Sequence, residues 1–499
     1  MPVASQPVTI SGIPATKNVI IDGVLRFPPT GLKALVIGAG IGGMMAALEC
    51  WRKGIDVEII EKATDLSTLG DVVVVGPSAV AVFHNYPTML ARYAELGHDV
   101  ELTFASKDGT PTMPSVEWEW NREGASQHGA YPLRINSMLG RNALADMLSD
   151  QCKRLGIPIT FGVTIDKYEE DITKGVATAI SLDGRCFDAD VIIAADGIGT
   201  KSHALTLGHP VRAVKTKYVV YRTMYPTDRL KGASMAEDII SRLDRPYLTF
   251  LRALAGHCVL ALTRDFVVIN LTTEEDATTA TENWSSTVSN EKVLSSLPEP
   301  ENWSPLLDEI IRHAPEHSMV RWPLVFRDPQ PRWTSPHGRV VQLGDAAHSF
   351  LPTSGNGATQ ALEDAASLGE CLRLGAKADV GIATKVHELL RYQRVSLIQH
   401  TGFVNAQDLH RDANGTEPAR KGLPFVMGSW IWGHHPEKYA TDNFAQARAH
   451  LEDGSPFKNT NLPIGHKWKD WTMEEEISKQ KAGIITIDEL KNNGDWSIN

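Results

Sequence analysis

Three glycines and a glutamate near the amino terminus have the types and spacing that bind a dinucleotide. Gly38, Gly40 and Gly43 form G-x-G-x-x-G directly after the apolar residues 33–37, and Glu61 lies 18 residues beyond Gly43. Such glycines allow a tight turn, close approach of a pyrophosphate, and close contact between helix and strand. A carboxylate at the spacing of Glu61 accepts hydrogen bonds from a ribose. The motif fits FAD and NAD equally well.

A second constellation lies at residues 344–364 and has more specific chemistry. Asp345 follows a strand-like stretch, and a loop with glycine at 355 and 357 leads into a helix-like segment. An acidic side chain at a strand end can hold sugar or ribitol hydroxyls, and glycines let a flat ring lie on the backbone. For a flavin, the helix N-terminus would then direct N–H groups at the pyrimidine end, which becomes anionic on reduction.

The elements around these motifs predict an α/β arrangement. Residues 33–38, 41–53 and 56–61 have the patterns of a strand, a helix and a second strand, which together form one βαβ unit. Further helices are predicted over residues 77–93 and 136–155, and further strands near residues 158–165, 177–182 and 189–195. The last of these strands leads directly into Asp196 and Gly197.

The three motifs together resemble the pattern of the FAD-dependent single-component aromatic hydroxylases, which include salicylate hydroxylase and para-hydroxybenzoate hydroxylase. That pattern is G-x-G-x-x-G, then D-G, then G-D-A-A-H-x-x-x-P-x-x-G-x-G, and the resemblance spans roughly residues 33–400. It implies an α/β, Rossmann-like FAD-binding fold of the para-hydroxybenzoate hydroxylase type with an inserted antiparallel-sheet substrate domain. It also implies that NADH or NADPH drives transfer of one oxygen atom from dioxygen (O2), through a flavin hydroperoxide, to an aromatic or otherwise electron-rich small molecule.

The resemblance also assigns cofactor residues. It gives the ADP half of FAD to the first motif, Gly38, Gly40, Gly43 and Glu61. It implies that Asp345 contacts the ribitol-pyrophosphate region of FAD. The residues that it places at the isoalloxazine ring are Gly355, Asn356 and Gly357. The family has a further basic residue on FAD, from the helix after the third strand. Arg141 fits that helix with Leu144 and Leu148, and we favour it over its close competitor Arg134.

Two neighbouring residues are candidates for the catalytic side of the site. Tyr221 and Arg222, within the predicted strand 217–224, resemble an aromatic-Arg pair that several relatives carry on the sheet facing the substrate. A guanidinium stays charged and binds oxygen anions well, so Arg222 could orient a phenolate. The alternative is an ion-paired arginine on an alternating strand.

The chain departs from the family pattern at several positions. Thr200 stands where relatives have Ser, and His203 stands where they have Arg, which puts a phosphate contact there in doubt. Ser78 replaces the usual Asn at a helix start. The segment 430–435, Trp-Ile-Trp-Gly-His-His, lacks the Asp that often ends the similar C-terminal motif.

The predicted organisation has four parts. Residues 1–31 are rich in proline and form an irregular N-terminal extension, residues 32–210 and 335–404 form a discontinuous FAD-binding domain, and residues 211–334 form the substrate domain. Runs suited to an antiparallel sheet occur at residues 217–224, 247–253, 258–264 and 267–272, and amphipathic segments follow at 290–297 and 303–313. Residues 405–499 form a poorly patterned C-terminal segment.

Composition restricts the partners. The 499 residues carry a formal net charge of -11, which argues against nucleic acid and against a polybasic membrane anchor. The sequence has no apolar run approaching the roughly 18–20 residues of a membrane span. Its five scattered cysteines and the absence of a secretory signal favour a cytoplasmic protein. No metal site is predicted, because His434 and His435 lack partners at ligand spacing.

Four other functions remain open at this stage. Epoxidation of an alkene or indole-type ring and Baeyer-Villiger oxidation would use the same fold. A flavin halogenase would have W-x-W-x-I-P, and residues 430–435 lack its Ile-Pro. From another class, the chain could be a non-catalytic FAD-fold binding protein, against which the 355–357 loop argues. The substrate is predicted as a phenol, an aromatic polyketide-like molecule or an indole-like molecule, in specialised rather than core metabolism.

Overall fold

A computed structural model describes residues 17–66, 71–254, 256–275, 286–409, 427–482 and 486–497 of the chain. Its strands are β1 (Val19–Ile21), β2 (Val24–Arg26), β3 (Lys33–Ile37), β4 (Asp56–Ile60), β5 (Val72–Val74), β6 (Thr103–Ser106), β7 (Met138–Gly140), β8 (Ile159–Thr160), β9 (Ile165–Asp171), β10 (Val176–Ser181), β11 (Cys186–Ala189), β12 (Val191–Ala194), β13 (Val214–Pro226), β14 (Tyr247–Ala253), β15 (Gly256–Leu262), β16 (Phe266–Glu274), β17 (Thr287–Val288), β18 (Met319–Phe326) and β19 (Val340–Gln342). Its helices are α1 (Ile41–Arg52), α2 (Pro77–Phe83), α3 (Pro87–Leu96), α4 (Arg141–Arg154), α5 (His203–Thr206), α6 (Ser234–Ser241), α7 (Asn290–Ser295), α8 (Pro305–His313), α9 (Gly357–Gly375), α10 (Val380–Leu409), α11 (Ser429–Trp432), α12 (Pro436–Asp453), α13 (Met473–Lys481) and α14 (Thr486–Lys491).

A five-stranded parallel sheet is the centre of the first domain, with the strand order β19-β12-β3-β4-β8. All residues of β12 and β19 are buried, as expected for a parallel sheet covered on both faces. Helices α1, α4 and α9 cover one face. The antiparallel strands β9 to β11 cover the other face.

The carboxyl ends of these parallel strands bring the sequence motifs together. Gly38 follows β3, Glu61 follows β4, Asp196 lies two residues beyond β12, and Asp345 lies three residues beyond β19. Because the strands are parallel neighbours, all four residues lie along one edge of the sheet. This edge is where open α/β sheets bind their ligands.

A second, seven-stranded sheet has the order β17-β18-β13-β16-β15-β14-β6. Its pairs are antiparallel except for β14 with β6. Strand β6 comes from residues 103–106, so the sheet is completed from outside residues 211–334. Helices α6 to α8 cover one face, and the other face packs against the parallel-sheet domain through Leu248, Phe250, Ala261 and Val268.

Residues 77–93, predicted as a single helix, form two helices instead. Helix α2 ends at Phe83 and α3 starts at Pro87, and the intervening Tyr86 has φ -128° and ψ 85°. Proline has no N–H to continue a helix, and it disfavours helical backbone in the residue before it. Pro87 therefore ends the first helix and begins the second.

The two terminal segments are more regular than their patterns predict. Residues 1–16 lie outside the described residues, but residues 17–31 contain the β1–β2 hairpin, whose turn places Asp22 and Gly23 at positive φ. An Asp-Gly pair is a common two-residue hairpin turn. In the C-terminal segment, α12 packs against α9 and α10. No helix among the described residues is both long and apolar enough to cross a membrane.

Candidate active site

The first glycine motif forms a turn that only glycine can make. Gly38 has φ +107°, and a Cβ atom there would lie 2.4 Å from the carbonyl oxygen of Ala195. A Cβ on Gly43 would lie 1.9 Å from the carbonyl oxygen of Gly38. A Cβ on Gly40, in contrast, would meet no atom within 4 Å. The turn is therefore tight where α1 meets β3 and open at Gly40, which is the space that a pyrophosphate needs.

Glu61 is held beside this turn by the backbone. One carboxylate oxygen accepts a hydrogen bond from the N–H of Ala39 at 2.7 Å, and the other accepts from the N–H of Ala63 at 2.8 Å. A carboxylate has about four lone-pair sites, so acceptor capacity remains for the hydroxyls of a ribose. Helix α1 begins after Gly40 without a side-chain cap, and its N-terminus favours an anion at the same place.

The Asp196–Gly197 element is bonded to strand β9. The Tyr168 hydroxyl donates to Asp196 Oδ2 at 2.8 Å, and burial raises the pKa of Asp196. His203 is buried, and desolvation together with the charge of Arg327 lowers its pKa to about 4. His203 is therefore neutral near pH 7, which argues against an ionic contact between His203 and a phosphate.

Asp345 lies in the cleft at the end of β19. Its side chain is exposed to solvent, although many protein atoms lie around it. Desolvation by these atoms raises the pKa of Asp345, and the charges of His348, Arg141 and Arg327 lower it. An acidic group in this position can accept hydrogen bonds from ribitol hydroxyls. Its place at the same edge as Glu61 lets one extended cofactor reach both.

The two arginines that competed as cofactor ligands lie in different surroundings. Arg141 is the first residue of α4, and its charge reaches Asp345. Arg134 instead forms ion pairs with Asp99 at 2.7 Å and with Glu117 at 3.0 Å. The structure brings Arg141, and not Arg134, to the cleft of Asp345.

The loop before α9 is shaped to accept a flat ring. Gly355 has φ +60°, and a Cβ there would meet no atom within 4 Å. Asn356 is fixed by its own side chain, whose Nδ2 donates to the Ser354 carbonyl at 2.7 Å. Helix α9 begins at Gly357 with no side-chain cap, so its N-terminal N–H groups and partial positive charge are directed at this loop.

A buried ionic cluster lies behind this loop. Asp364 of α9 accepts a hydrogen bond from Arg391 Nε at 2.8 Å, and its other oxygen lies 2.5 Å from His348 Nε2. Arg391 also donates to Glu363 at 2.6 Å. Although burial opposes ionisation, the charges of His348 and Arg391 hold the pKa of Asp364 well below its usual range. The cluster explains why a histidine follows the G-D-A-A sequence: it fixes the loop that carries Asp345.

Tyr221 and Arg222 lie on opposite faces of the seven-stranded sheet. Tyr221 is fully buried in the core formed with α7 and α8, and its hydroxyl donates to Glu275 at 2.7 Å. Desolvation and Glu275 raise the pKa of Tyr221 to about 12. Arg222 lies on the face toward the parallel-sheet domain, where its Nη1 donates to Asp71 at 3.0 Å and its guanidinium stacks 4.4 Å from the Trp322 ring centroid. The structure therefore does not bring the two residues together.

Three tryptophans that the sequence analysis did not single out as site residues surround a small cavity at the flavin loop. The cavity has a volume of about 20 Å³. The Trp118 and Trp120 indoles are stacked 5.0 Å apart at an interplanar angle of 6°, and Trp432 comes from the C-terminal segment. The lining is Val74, Gly76, Ser78, Trp118, Trp120, Gly355, Asn356, Thr359, Met427, Ile431 and Trp432. The signal in the sequence is the spacing Trp-x-Trp, which occurs at residues 118–120 and 430–432.

Sequence similarity to known proteins identifies the family of this chain. Residues 32–380 match the FAD binding domain family. The chain belongs to this family. It is 37% identical over 486 residues to the FAD-dependent monooxygenase fsr3 of Gibberella fujikuroi, a match covering 95% of this chain and 91% of that relative. The predicted resemblance is confirmed, and the protein is an FAD-dependent monooxygenase.

Solved structures agree with the predicted fold. The structure of CtdE in complex with FAD and substrate 4 matches this monooxygenase with a TM-score of 0.76 and 28% identity, covering 85% of this chain and 100% of that one. A salicylate hydroxylase substrate complex matches with a TM-score of 0.64 and 23% identity, covering 82% of this chain and 97% of that one. The α/β flavoprotein hydroxylase fold is confirmed.

Proposed function

We propose that this monooxygenase uses NADPH or NADH to insert one oxygen atom from dioxygen into an aromatic or otherwise electron-rich small molecule of a biosynthetic pathway. The observation that carries the proposal is the shared edge of the parallel sheet. There the open turn at Gly40 and the carboxylates of Glu61 and Asp345 follow neighbouring parallel strands, and the uncapped N-terminus of α9 lies beyond Asp345 in the chain. Such an arrangement fits an extended dinucleotide with a flat, reducible ring at one end.

The described residues fit FAD along its whole length. Glu61 would accept hydrogen bonds from the ribose, and the N-terminus of α1 would stabilise the pyrophosphate. Asp345 would bind ribitol hydroxyls, with Arg141 nearby as a counter-charge. The residues that would lie against the ring are Gly355, Asn356 and Gly357. When bound, the flavin supplies electron transfer from the nicotinamide and activation of dioxygen.

The protein's own residues would provide orientation, charge and exclusion of water. The N-terminus of α9 would stabilise negative charge on the reduced ring through its N–H groups. Arg222, which pairs with Asp71, would hold and orient the substrate oxygen, because a guanidinium stays charged and binds oxygen acceptors well. Tyr221 lies on the other face, and we propose that it supports the strand that carries Arg222.

The Arg222–Asp71 pair indicates which form of substrate the site would accept. Asp71 already neutralises much of the guanidinium charge at 3.0 Å, and both side chains are largely buried. A neutral phenol or carbonyl oxygen can be bound by such a pair at little electrostatic cost, whereas a free carboxylate would be repelled by Asp71. We therefore propose uncharged phenols, aromatic polyketide-like molecules or indoles as substrates. The five unpaired cysteines are compatible with the proposed cytoplasmic location.

The decisive experiment is the anaerobic reduction of the purified, FAD-loaded protein by NADPH and by NADH. The flavin absorbance is followed with and without a panel of phenols, aromatic polyketides and indoles, and the products are then identified after admission of air. We expect one class of compound to accelerate bleaching and to gain one oxygen atom. Equal bleaching with every compound and hydrogen peroxide as the sole product would contradict the proposal. Product structure distinguishes hydroxylation from epoxidation and from Baeyer-Villiger oxidation.

A further inference from the structure

Helix α11, which lies in the wall of the tryptophan-lined cavity, is too short to be stable by itself. Helix α11 comprises four residues, Ser429 to Trp432. A single helical turn costs more conformational entropy than its few hydrogen bonds return, so such a helix is stable only through tertiary contacts. Contacts with the rest of the protein therefore place Trp432 at the flavin loop.

One anchor is the carboxylate of Glu119. The indole N–H of Trp432 donates to Glu119 Oε2 at 2.8 Å, and the Trp432 side chain is almost fully buried. Glu119 lies between Trp118 and Trp120, the two other tryptophans of the cavity. Burial raises the pKa of Glu119, and the hydrogen bond from Trp432 lowers it. A partly buried carboxylate with an indole donor ties two remote chain segments together at this point.

A second anchor comes from the ionic cluster behind the flavin loop. Arg394 donates to the carbonyl oxygens of Trp430 at 2.6 Å and Ile431 at 2.8 Å. Arg394 is fully buried and is itself bonded to Glu363, which accepts from the Ser78 hydroxyl at 2.8 Å. Ser78 lines the same cavity. Through Arg394, Glu363 and Ser78, the position of α11 is therefore linked to helix α9 and to the start of helix α2.

The cavity that these anchors close is small and uncharged. Its volume of about 20 Å³ leaves room for roughly one water molecule. None of the described residues that line it carries a formal charge. A wall that holds this space closed keeps bulk water from the cavity side of the flavin loop, although Gly355 itself is exposed.

We propose that residues 427–433 form a closing wall of the flavin site and that Glu119 is the positioning residue that keeps this wall closed. The inference rests on the proposed function, because it concerns the fate of the electrons that NAD(P)H supplies. With the wall closed, NAD(P)H, a proton and dioxygen convert the substrate into its oxygenated product, NAD(P)⁺ and water. With the wall open, the same two electrons and two protons reduce dioxygen to hydrogen peroxide, and the substrate is not oxygenated.

The test uses the full-length, FAD-loaded protein and the variants Glu119→Leu, Glu119→Gln and Trp432→Phe. Leucine removes the acceptor, glutamine retains a carbonyl acceptor for the indole, and phenylalanine removes the donor while keeping a ring. The matched control is Trp471→Phe. Trp471 is also a buried tryptophan of the C-terminal segment with a bonded indole, but it contacts Ser396 and does not line the cavity.

The first readout is quenching of the bound flavin's fluorescence by iodide, which needs no substrate and no turnover. We expect Glu119→Leu and Trp432→Phe each to raise the quenching constant by up to about tenfold. A hydrogen bond to a charged acceptor favours the closed state over the open state by about that factor. The double variant should add nothing further, because both changes break the same bond. Glu119→Gln should restore most of the protection, and Trp471→Phe should resemble the parent.

The second readout is hydrogen peroxide formed per NADPH consumed, measured with the compound that most accelerates bleaching. It should rise in Glu119→Leu and Trp432→Phe while the affinity for FAD stays within about twofold of the parent, because neither side chain is assigned to the cofactor. Unchanged iodide quenching in a folded Glu119→Leu or Trp432→Phe overturns the proposal. If Glu119→Leu does not fold, Trp432→Phe alone decides the question. A parent protein that binds FAD but produces only peroxide would instead refute the proposed function.

Discussion

The two sides of the flavin site are built from different kinds of group. On the side of the parallel sheet, the groups at the site are mainly backbone atoms, glycines and helix N-termini, as at Gly38 and at the start of α9, together with the carboxylates of Glu61 and Asp345. On the side of the seven-stranded sheet and the C-terminal segment, they are large side chains such as Trp118, Arg222 and Trp432. Backbone recognition depends on few residue types, whereas a side-chain wall can change with each substitution. We therefore propose that the first side fixes the cofactor and the second side fixes the substrate.

The largest expected effect is on the backbone side. Gly38→Ala would put a methyl group 2.4 Å from the Ala195 carbonyl oxygen at φ +107°, so we expect an unstable protein without bound FAD. Gly40→Ala is the matched control, because its methyl group would meet no protein atom within 4 Å. The control should keep its melting temperature without FAD but lose affinity for FAD. Equal melting temperatures for the two variants would contradict this account of the turn.

The ionic cluster behind the flavin loop should give the next largest effect. Arg391→Met would leave the buried carboxylates of Glu363 and Asp364 with fewer partners, and breaking such a pair costs about 3–5 kcal/mol. Urea unfolding would measure the loss. Arg312→Met, which removes the partner of Asp308 in an exposed ion pair, should cost under about 1 kcal/mol. A similar small loss in Arg391→Met would show that the loop does not depend on the cluster.

Acid should weaken the parallel-sheet domain through two buried histidines. Desolvation lowers the pKa of His203 to about 4, and desolvation lowers the pKa of His387 to about 3. Between about pH 6.5 and pH 5 the unfolded chain binds protons at these sites and the folded chain does not. The free energy of unfolding should therefore fall with falling pH, by about 1–2 kcal/mol for each histidine. Urea unfolding of His203→Gln and His387→Gln should show a shallower dependence on pH, and an unchanged slope would exclude these groups as its source.

The smallest expected effects separate the two faces of β13. Arg222→Gln should lower product formation by about tenfold while the affinity for FAD is unchanged, because we propose that the guanidinium, which pairs with Asp71, binds the substrate oxygen and not the cofactor. Tyr221→Phe should instead leave product formation unchanged and cost about 1 kcal/mol of stability, through loss of the bond to Glu275. Steady-state product analysis and urea unfolding would measure both. Equal catalytic losses in the two variants would show that the faces are not functionally distinct.

The positions of the residues at the edge of the parallel sheet could be predicted from the sequence, because each of them has a local physical reason; their contacts with FAD stay a prediction. Positive φ and close backbone approach demand glycine at Gly38, and a strand end followed by a carboxylate marks Glu61 and Asp345. The sequence alone favoured Arg141 over Arg134 only through helical spacing. Helical spacing does not show that Arg134 forms ion pairs with Asp99 and Glu117.

The substrate side was predictable only in outline. The antiparallel runs indicated a sheet, but its strand β6 lies far from the others in the chain. Glu119 and Trp432 meet across 313 residues, and no periodicity marks such a contact. Alternation along β13 already implied that neighbouring residues point to opposite faces, which the resemblance to an aromatic-Arg pair left out of account. Long-range contacts between single side chains were the part that local patterns could not supply.

The strand order of the parallel sheet also sets a time for cofactor loading during protein synthesis. Strand β3 carries the first glycine motif, but β19, which supplies Asp345, follows roughly 300 residues later. Ribosomes add about 5–20 residues per second, so the first βαβ unit waits roughly 15–60 s for the strand that completes the cleft. Until then β12 lacks its outer neighbour β19, and α9, which packs on α1, has not been made. The nascent chain therefore needs protection from aggregation before FAD can take part in holding the fold together.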